Sequence, residues 1–149
     1  MTDRMGAAMD PRINLVTLGV RDLPASRAFY ERLGWRASGA SQEGVAFFQL
    51  GGLVLSLYGR ANLAADADLD PAGTGFGGIS LAQNLPSPEA VDAAYAAMLA
   101  AGAKPLKPPH AIFWGGYAGF AADPDGFVWE LAHNPFFPFD DAGNLVLPA

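Results

Sequence analysis

One acidic side chain in the second half of the chain is a candidate for chemistry. Glu130 lies in a short apolar run that follows the turn Asp123-Pro124-Asp125-Gly126. The first half contains a matching hairpin around a Gly51-Gly52 turn, and superposing the two turns places Ser56 on Glu130. Glu130 can act as a general acid or base, accept a hydrogen bond from a ligand amine, or be bonded to Ser56 or backbone donors.

An aromatic segment before the last hairpin is the second candidate. The segment, residues 110–117, places aromatic side chains beside the flexible pair Gly115-Gly116. This arrangement suits a lid or stacking wall over a flat ligand. The alternative is ordinary packing of a hairpin. We predict that the ligand-binding residues are Ser56, Phe48, Phe113, Trp114, Tyr117 and Glu130, with Phe47 as the alternative to Phe48. Glu130 is also the candidate catalytic residue.

The two histidines are weaker candidates. Side chains alternate along a strand, so His133 should share a face with Trp129 and Leu131, opposite to Glu130. His110 could approach Glu130 only if its loop folds over the cavity. We expect both histidines to be on the surface or hydrogen-bonded.

Composition limits the function classes. The chain has 149 residues, of which 51% are hydrophobic and 16% are charged, as in a compact globular protein. A net charge of −6 argues against nucleic-acid binding and is weakly compatible with a cationic ligand. The absence of cysteine excludes thiolate chemistry, and no apolar run predicts a membrane span or secretory signal. A cytoplasmic location is the expectation.

The elements that position these residues occur twice. A strand over 13–20 precedes a helix that Asp22 can cap, and a hairpin over 44–58 follows. After a solvated linker over 61–75, the order repeats: a strand over 76–83, a helix opened by Ser87, an edge strand over 103–108 and a hairpin ending at His133. We predict an α+β fold of two βαβββ modules, residues 13–60 and 76–133, whose curved mixed sheets face each other around a cavity. They form one domain over 12–140, and the aromatic tail, 134–149, should pack across a sheet edge or a partner subunit.

The same residues resemble a known superfamily. Val20-Arg21-Asp22-Leu23, leading to Phe29-Tyr30 and Leu33-Gly34, and the Asp123–Gly126 turn followed by Glu130-Leu131, are similar to the vicinal oxygen chelate proteins. That superfamily includes glyoxalase I, bleomycin-resistance proteins and extradiol dioxygenases. The resemblance implies the fold predicted above.

The resemblance also implies where a metal would bind. Its metalloenzymes take ligands from the first and last strand of each module, and these positions fall on Leu15, Ser56, Gly78 and Glu130. Only Glu130 is a usable ligand, whereas divalent metals need three or four protein donors. We therefore predict no metal cofactor, and a weak divalent-metal site is the alternative.

The resulting functional prediction is a metal-independent small-molecule binding protein of the bleomycin-resistance type. It would act as a homodimer that sequesters a flat apolar or cationic ligand, without nucleic-acid or membrane partners. The alternative is a glyoxalase/lyase- or dioxygenase-like enzyme that uses Glu130 with a weak or unusual divalent-metal site. A third possibility is a pocket that has lost its function.

Overall fold

The chain folds as the repeated α+β unit that the sequence predicts. The computed structural model describes residues 13, 15–66, 68, 70–72, 77 and 79–145. The elements in order are β1 (Leu15–Val20), α1 (Leu23–Arg32), β2 (Val45–Leu50), β3 (Leu53–Gly59), α2 (Arg60–Asp66), β4 (Ser80–Asn84), α3 (Pro88–Ala101), β5 (Lys104–Ala111), β6 (Tyr117–Ala122) and β7 (Val128–His133). No helix in these ranges is long and apolar enough to cross a membrane.

Both long helices begin at the caps that the sequence indicates. The Asp22 side chain accepts a hydrogen bond from the Ala25 N–H at 3.0 Å, and Ser87 accepts one from the Ala90 N–H at 3.1 Å. Each cap satisfies a backbone donor that the first helical turn leaves free. Gly102 ends α3 in the left-handed region, with φ of 112°, where glycine is strongly favoured.

The two sheets share one topology. Sheet 1 has the order β1-β3-β2 and sheet 2 has the order β4-β7-β6-β5. In each sheet the first strand of the module runs parallel to the last, and the remaining neighbours are antiparallel. Sheet 1 has no strand equivalent to β5 among the described residues. At that position a single β-bridge joins Ala37 to Phe48 of β2, so the fourth strand of the first module is reduced to one residue pair.

Each sheet has an inner side, which carries its helix, and an outer side. The inner sides and both helices contribute to one continuous core, so the modules join through these apolar surfaces. The fully buried members of this core with large side chains are Val20, Phe29, Tyr30, Phe48, Leu57 and Val91. The strand registers place Ser56 and Glu130 on the outer sides.

A buried polar network links the modules. The Tyr30 hydroxyl of α1 donates to Asp123 Oδ2 at 2.8 Å and accepts from the Trp129 indole N–H at 3.1 Å. Asp123 Oδ1 accepts from the backbone N–H groups of Asp125 and Phe127. Burial raises the pKa of Asp123 above its ordinary value, and burial also raises the pKa of Tyr30. The sequence motifs Phe29-Tyr30 and Asp123–Gly126 thus meet at the module junction.

The solvated linker predicted over 61–75 begins with a helix, which the sequence analysis did not predict. Residues 60–66 form α2, whose Leu63 side chain packs against Gly19 of β1. Arg, Ala and Leu favour helix, which explains why this segment extends the first module. Residues 67, 69 and 73–76 lie outside the described residues.

The aromatic tail makes a turn at Asn134–Phe137 and a bridge between Phe139 and Leu145. Phe137 and Phe139 are half-buried, whereas Phe136 is exposed. The tail therefore buries part of its aromatic surface against its own chain. Residues 146–149 of the predicted tail lie outside the described part of the chain.

Candidate functional site

Ser56 and Glu130 occupy equivalent positions in the two modules. Ser56 pairs with Thr17 of β1, five residues before the cap Asp22, and Glu130 pairs with Ala82 of β4, five residues before the cap Ser87. The superposition inferred from the turns therefore agrees with the strand registers.

Glu130 lies half-buried in an apolar row on the outer side of sheet 2. Its neighbours across the strands are Ala82 on β4 and Phe120 on β6, and Lys107 of β5 pairs with Phe120. Directly paired residues point to the same side of a sheet. The row therefore presents a carboxylate beside an aromatic ring, with a lysine two strands away.

Ser56 holds the corresponding position in sheet 1 and is only 2% exposed. Its cross-strand neighbours are Thr17 and Phe47. Phe47, the alternative to Phe48, is half-buried and shares the outer side with Ser56.

Phe48, the phenylalanine that was predicted to bind ligand, lies on the opposite side of sheet 1. It pairs with Leu55, is fully buried, and its ring packs against Tyr30 and Trp35. Since successive residues of a strand alternate in direction, one step along β2 moves the ring from the outer side into the core.

Tyr117 also lies away from Glu130. It pairs with His133 on the inner side of sheet 2, and its hydroxyl donates to Asp92 of α3 at 2.7 Å. The hydrogen bond to Asp92 raises the pKa of Tyr117. The tyrosine is thus held against α3, on the other side of the sheet from the Glu130 carboxylate.

Phe113 and Trp114 form the tip of the β5–β6 hairpin. Phe113 is 99% exposed and Trp114 is 43% exposed. The indole of Trp114 lies over Gly116, whose lack of a side chain leaves room for the ring. The hairpin therefore presents these aromatic side chains to solvent beside two glycines, and their role as a lid or stacking wall stays a prediction.

The histidines lie on the two sides of sheet 2. His133 shares the inner side with Leu131 and Trp129, as predicted, and its Nδ1 lies 2.9 Å from the Leu85 carbonyl oxygen. His110 pairs with Ala118 on the outer side, and its Nδ1 lies 3.1 Å from the Pro108 carbonyl oxygen. Within the described ranges, no three His, Cys, Asp or Glu side chains are grouped so that they could hold a metal ion.

Two clefts open between the modules, and most of their lining residues lie on the inner sides of the sheets. The smaller has a volume of about 160 Å³ and is lined by Leu33, Trp35, Gln83, Ala94, Ala97, Met98, Trp129 and Leu131. The larger, of about 430 Å³, shares Trp35, Gln83 and Trp129 with it and extends to Leu53 and the tail residue Asn144. Ser56 and Glu130 line neither cleft.

The sequence matches a protein family over most of its length. The profile of the Glyoxalase/Bleomycin resistance protein/Dioxygenase superfamily matches residues 12–131. The chain belongs to this superfamily. In this member, the hydrogen bond from Tyr30 to Asp123 links the two repeated modules.

Solved structures with the same fold match most of the chain. A glyoxalase-related enzyme from Fulvimarina pelagi is 35% identical, with a TM-score of 0.83, over 93% of this chain and 99% of that chain. A glyoxalase/bleomycin resistance protein/dioxygenase from Nocardioides is 27% identical, with a TM-score of 0.70, over 87% of each chain. A lactoylglutathione lyase from Agrobacterium tumefaciens shares the fold at 23% identity and a TM-score of 0.65, over 87% of this chain and 98% of that chain. Among curated proteins, none matches the chain.

Proposed function

We propose that this superfamily member is a metal-independent small-molecule binding protein. Its ligand would be a flat apolar or cationic molecule that lies on the outer side of sheet 2. The observation that carries the proposal is the row formed by Ala82, Glu130 and Phe120, in which a half-buried glutamate is paired across the strands with a phenylalanine. Such a pair attracts a planar cation by charge and by contact with the ring face.

The available donors do not fit a catalytic metal. Of the positions that the superfamily uses for ligands, Leu15 has no donor atom, Ser56 offers a hydroxyl, and Glu130 offers a carboxylate, while residue 78 lies outside the described ranges. A divalent metal at such a site needs three or four good donors. The proposal therefore assigns Glu130 to ligand binding rather than to metal ligation.

We further propose that the protein acts as a homodimer. β1 and β4 are the end strands of their sheets, and aliphatic side chains at their N-terminal ends are exposed: Ile13 by 72%, Leu15 by 46% and Ile79 by 64%. Apolar side chains along open strand edges favour pairing with another chain. Sedimentation equilibrium should give a dimer, and Leu15→Lys should shift it towards monomer.

The ligand proposal is tested with two probes of matched shape. We expect the 1-methylquinolinium cation to bind more tightly than neutral 1-methylnaphthalene in calorimetric titrations. Glu130→Gln should weaken binding of the cation by roughly fivefold and leave the neutral probe unchanged, because a partly exposed ion pair contributes about 1 kcal/mol or less. Glu43→Gln removes the same charge from an exposed loop and serves as the control. Equal effects of the two substitutions would contradict the placement of the ligand at Glu130.

An enzymatic role for Glu130 is the second candidate. It is favoured by the half-buried carboxylate, together with the 35% identity to a protein described as a glyoxalase-related enzyme. Lactoylglutathione lyase activity should then be measurable after addition of zinc, nickel, manganese or ferrous iron, and Glu130→Gln should abolish it. Absence of turnover with each metal, together with cation binding by the wild type, would favour the binding protein.

A further inference from the structure

A polar residue interrupts the apolar side of β4. Alternation along this strand places residues 81, 83 and 85 on the inner side, where Leu81 and Leu85 pack against the core. Gln83 lies between them and is exposed. The primary amide therefore occupies a position for which the strand pattern predicts an aliphatic side chain.

Gln83 lies where the two inter-module clefts meet. Both clefts include Trp35, Gln83 and Trp129, and none of their lining residues carries a charge. The larger volume, about 430 Å³, is within the range of small-molecule sites. An uncharged ligand is therefore favoured over an ion.

The two tryptophans give this junction a fixed aromatic wall. Their ring centroids are 5.8 Å apart, with an angle of 69° between the ring planes. Trp35 is also stacked on Tyr30, at 5.4 Å and 20°. Because the Trp129 indole N–H donates to Tyr30, it is not available to a ligand. At this junction, Gln83 offers the side-chain amide that can both donate and accept.

We propose that the two inter-module clefts, which meet at Trp35, Gln83 and Trp129, together form a second ligand site. It takes a flat, uncharged aromatic molecule with a hydrogen-bond donor and an acceptor side by side on one edge. The rings pack against Trp35 and Trp129, and the edge pairs with the Gln83 carboxamide. The site lies mainly on the inner sides of the sheets, and of the row formed by Ala82, Glu130 and Phe120 only Ala82 lines it, in the larger cleft. It is independent of the function proposed above.

Quinolin-2(1H)-one is a suitable probe, because its lactam edge carries an N–H next to a carbonyl. Naphthalene has the same two-ring shape without that edge. Calorimetric titration should give stronger binding of the lactam. Gln83→Met should reduce lactam affinity about tenfold, since the lactam edge then lacks a partner, and leave naphthalene affinity unchanged.

A space-filling variant tests the location. Ala97 lines the smaller cleft, whereas Ala96 is an exposed neighbour on α3 that does not. Ala97→Phe should weaken both probes, and Ala96→Phe should leave both unchanged, with circular dichroism confirming that each variant is folded. The proposal is overturned if neither probe binds the wild type, if the two alanine variants behave alike, or if Gln83→Met does not separate the probes. Glu130→Gln should leave lactam affinity unchanged. A loss of lactam affinity in this variant would indicate that the lactam binds at Glu130 on the outer side, and would overturn the proposal.

Discussion

The Tyr30 hydroxyl should make a large contribution to stability, because two buried groups of the second module depend on it. Tyr30→Phe leaves Asp123 Oδ2 without its donor and the Trp129 indole N–H without its acceptor. A buried polar group that loses its partner costs about 1–3 kcal/mol. We expect the variant to lose roughly 3 kcal/mol in free energy of unfolding, since the ring and its packing against Trp35 and Phe48 remain.

Urea titration followed by circular dichroism at pH 7 measures this loss directly. For a chain of 149 residues, 1 kcal/mol corresponds to roughly 2–4 °C in Tm, so the melting temperature should fall by roughly 9 °C. An unchanged slope of free energy against urea would show that the loss lies in the folded state.

Tyr117→Phe is the matched control. Its hydroxyl donates to a carboxylate at 2.7 Å, as that of Tyr30 does at 2.8 Å, but the bond to Asp92 is exposed to solvent. Water can replace that bond, so we expect a much smaller loss. Equal losses in the two variants would refute the argument that burial makes the Tyr30 bond important.

Four further predictions concern single residues. Burial raises the pKa of Asp123 above its ordinary 3.8. The contribution of Asp123 to the free energy of unfolding is therefore complete below pH 3.8 and is lost as the pH rises through the folded-state pKa. Urea titrations at stepped pH should show the wild type losing stability relative to Asp123→Asn between these two pKa values. Tyr95→Phe should raise the free energy of unfolding by about 1 kcal/mol, because the buried Tyr95 hydroxyl has no partner in the described structure. Urea titration measures this gain. Gly116→Ala should displace the Trp114 indole, which a red shift of tryptophan emission would report. Ser87→Ala removes the α3 cap and should cost about 1 kcal/mol in thermal unfolding.

The sequence predicts the repeat well because its signals are local. Asp22 and Ser87 cap helices by contacts three residues away, and the Asp123–Gly126 turn fixes the last hairpin. Alternation along the last strand also places Glu130 and His133 on opposite sides, as the structure has them. These features depend on short stretches of chain and need no knowledge of how the modules pack.

Other site residues depend on information that the local pattern does not contain. Phe47 and Phe48 are adjacent and identical, so only the pairing with β3 decides which one is buried. The side taken by Tyr117 depends on the register of β6 against β7, and its hydroxyl finds Asp92 only once α3 has packed. The inter-module clefts need the arrangement of both modules, which no single segment encodes.

The Tyr95 hydroxyl, which has no hydrogen-bond partner among the described residues, shows that the repeat is not symmetric. Tyr95 lies eight residues after the cap Ser87, as Tyr30 lies eight residues after Asp22, so the two tyrosines are counterparts. The registers likewise make Leu50 the counterpart of Asp123. A junction with exact twofold symmetry would contain two tyrosine–aspartate links between the modules. This chain has one such link, Tyr30–Asp123, and the equivalent positions in the other half hold Tyr95 and Leu50. The two halves therefore contribute unequal groups to the module junction, and the buried Tyr95 hydroxyl marks the half of the repeat that lacks the polar link.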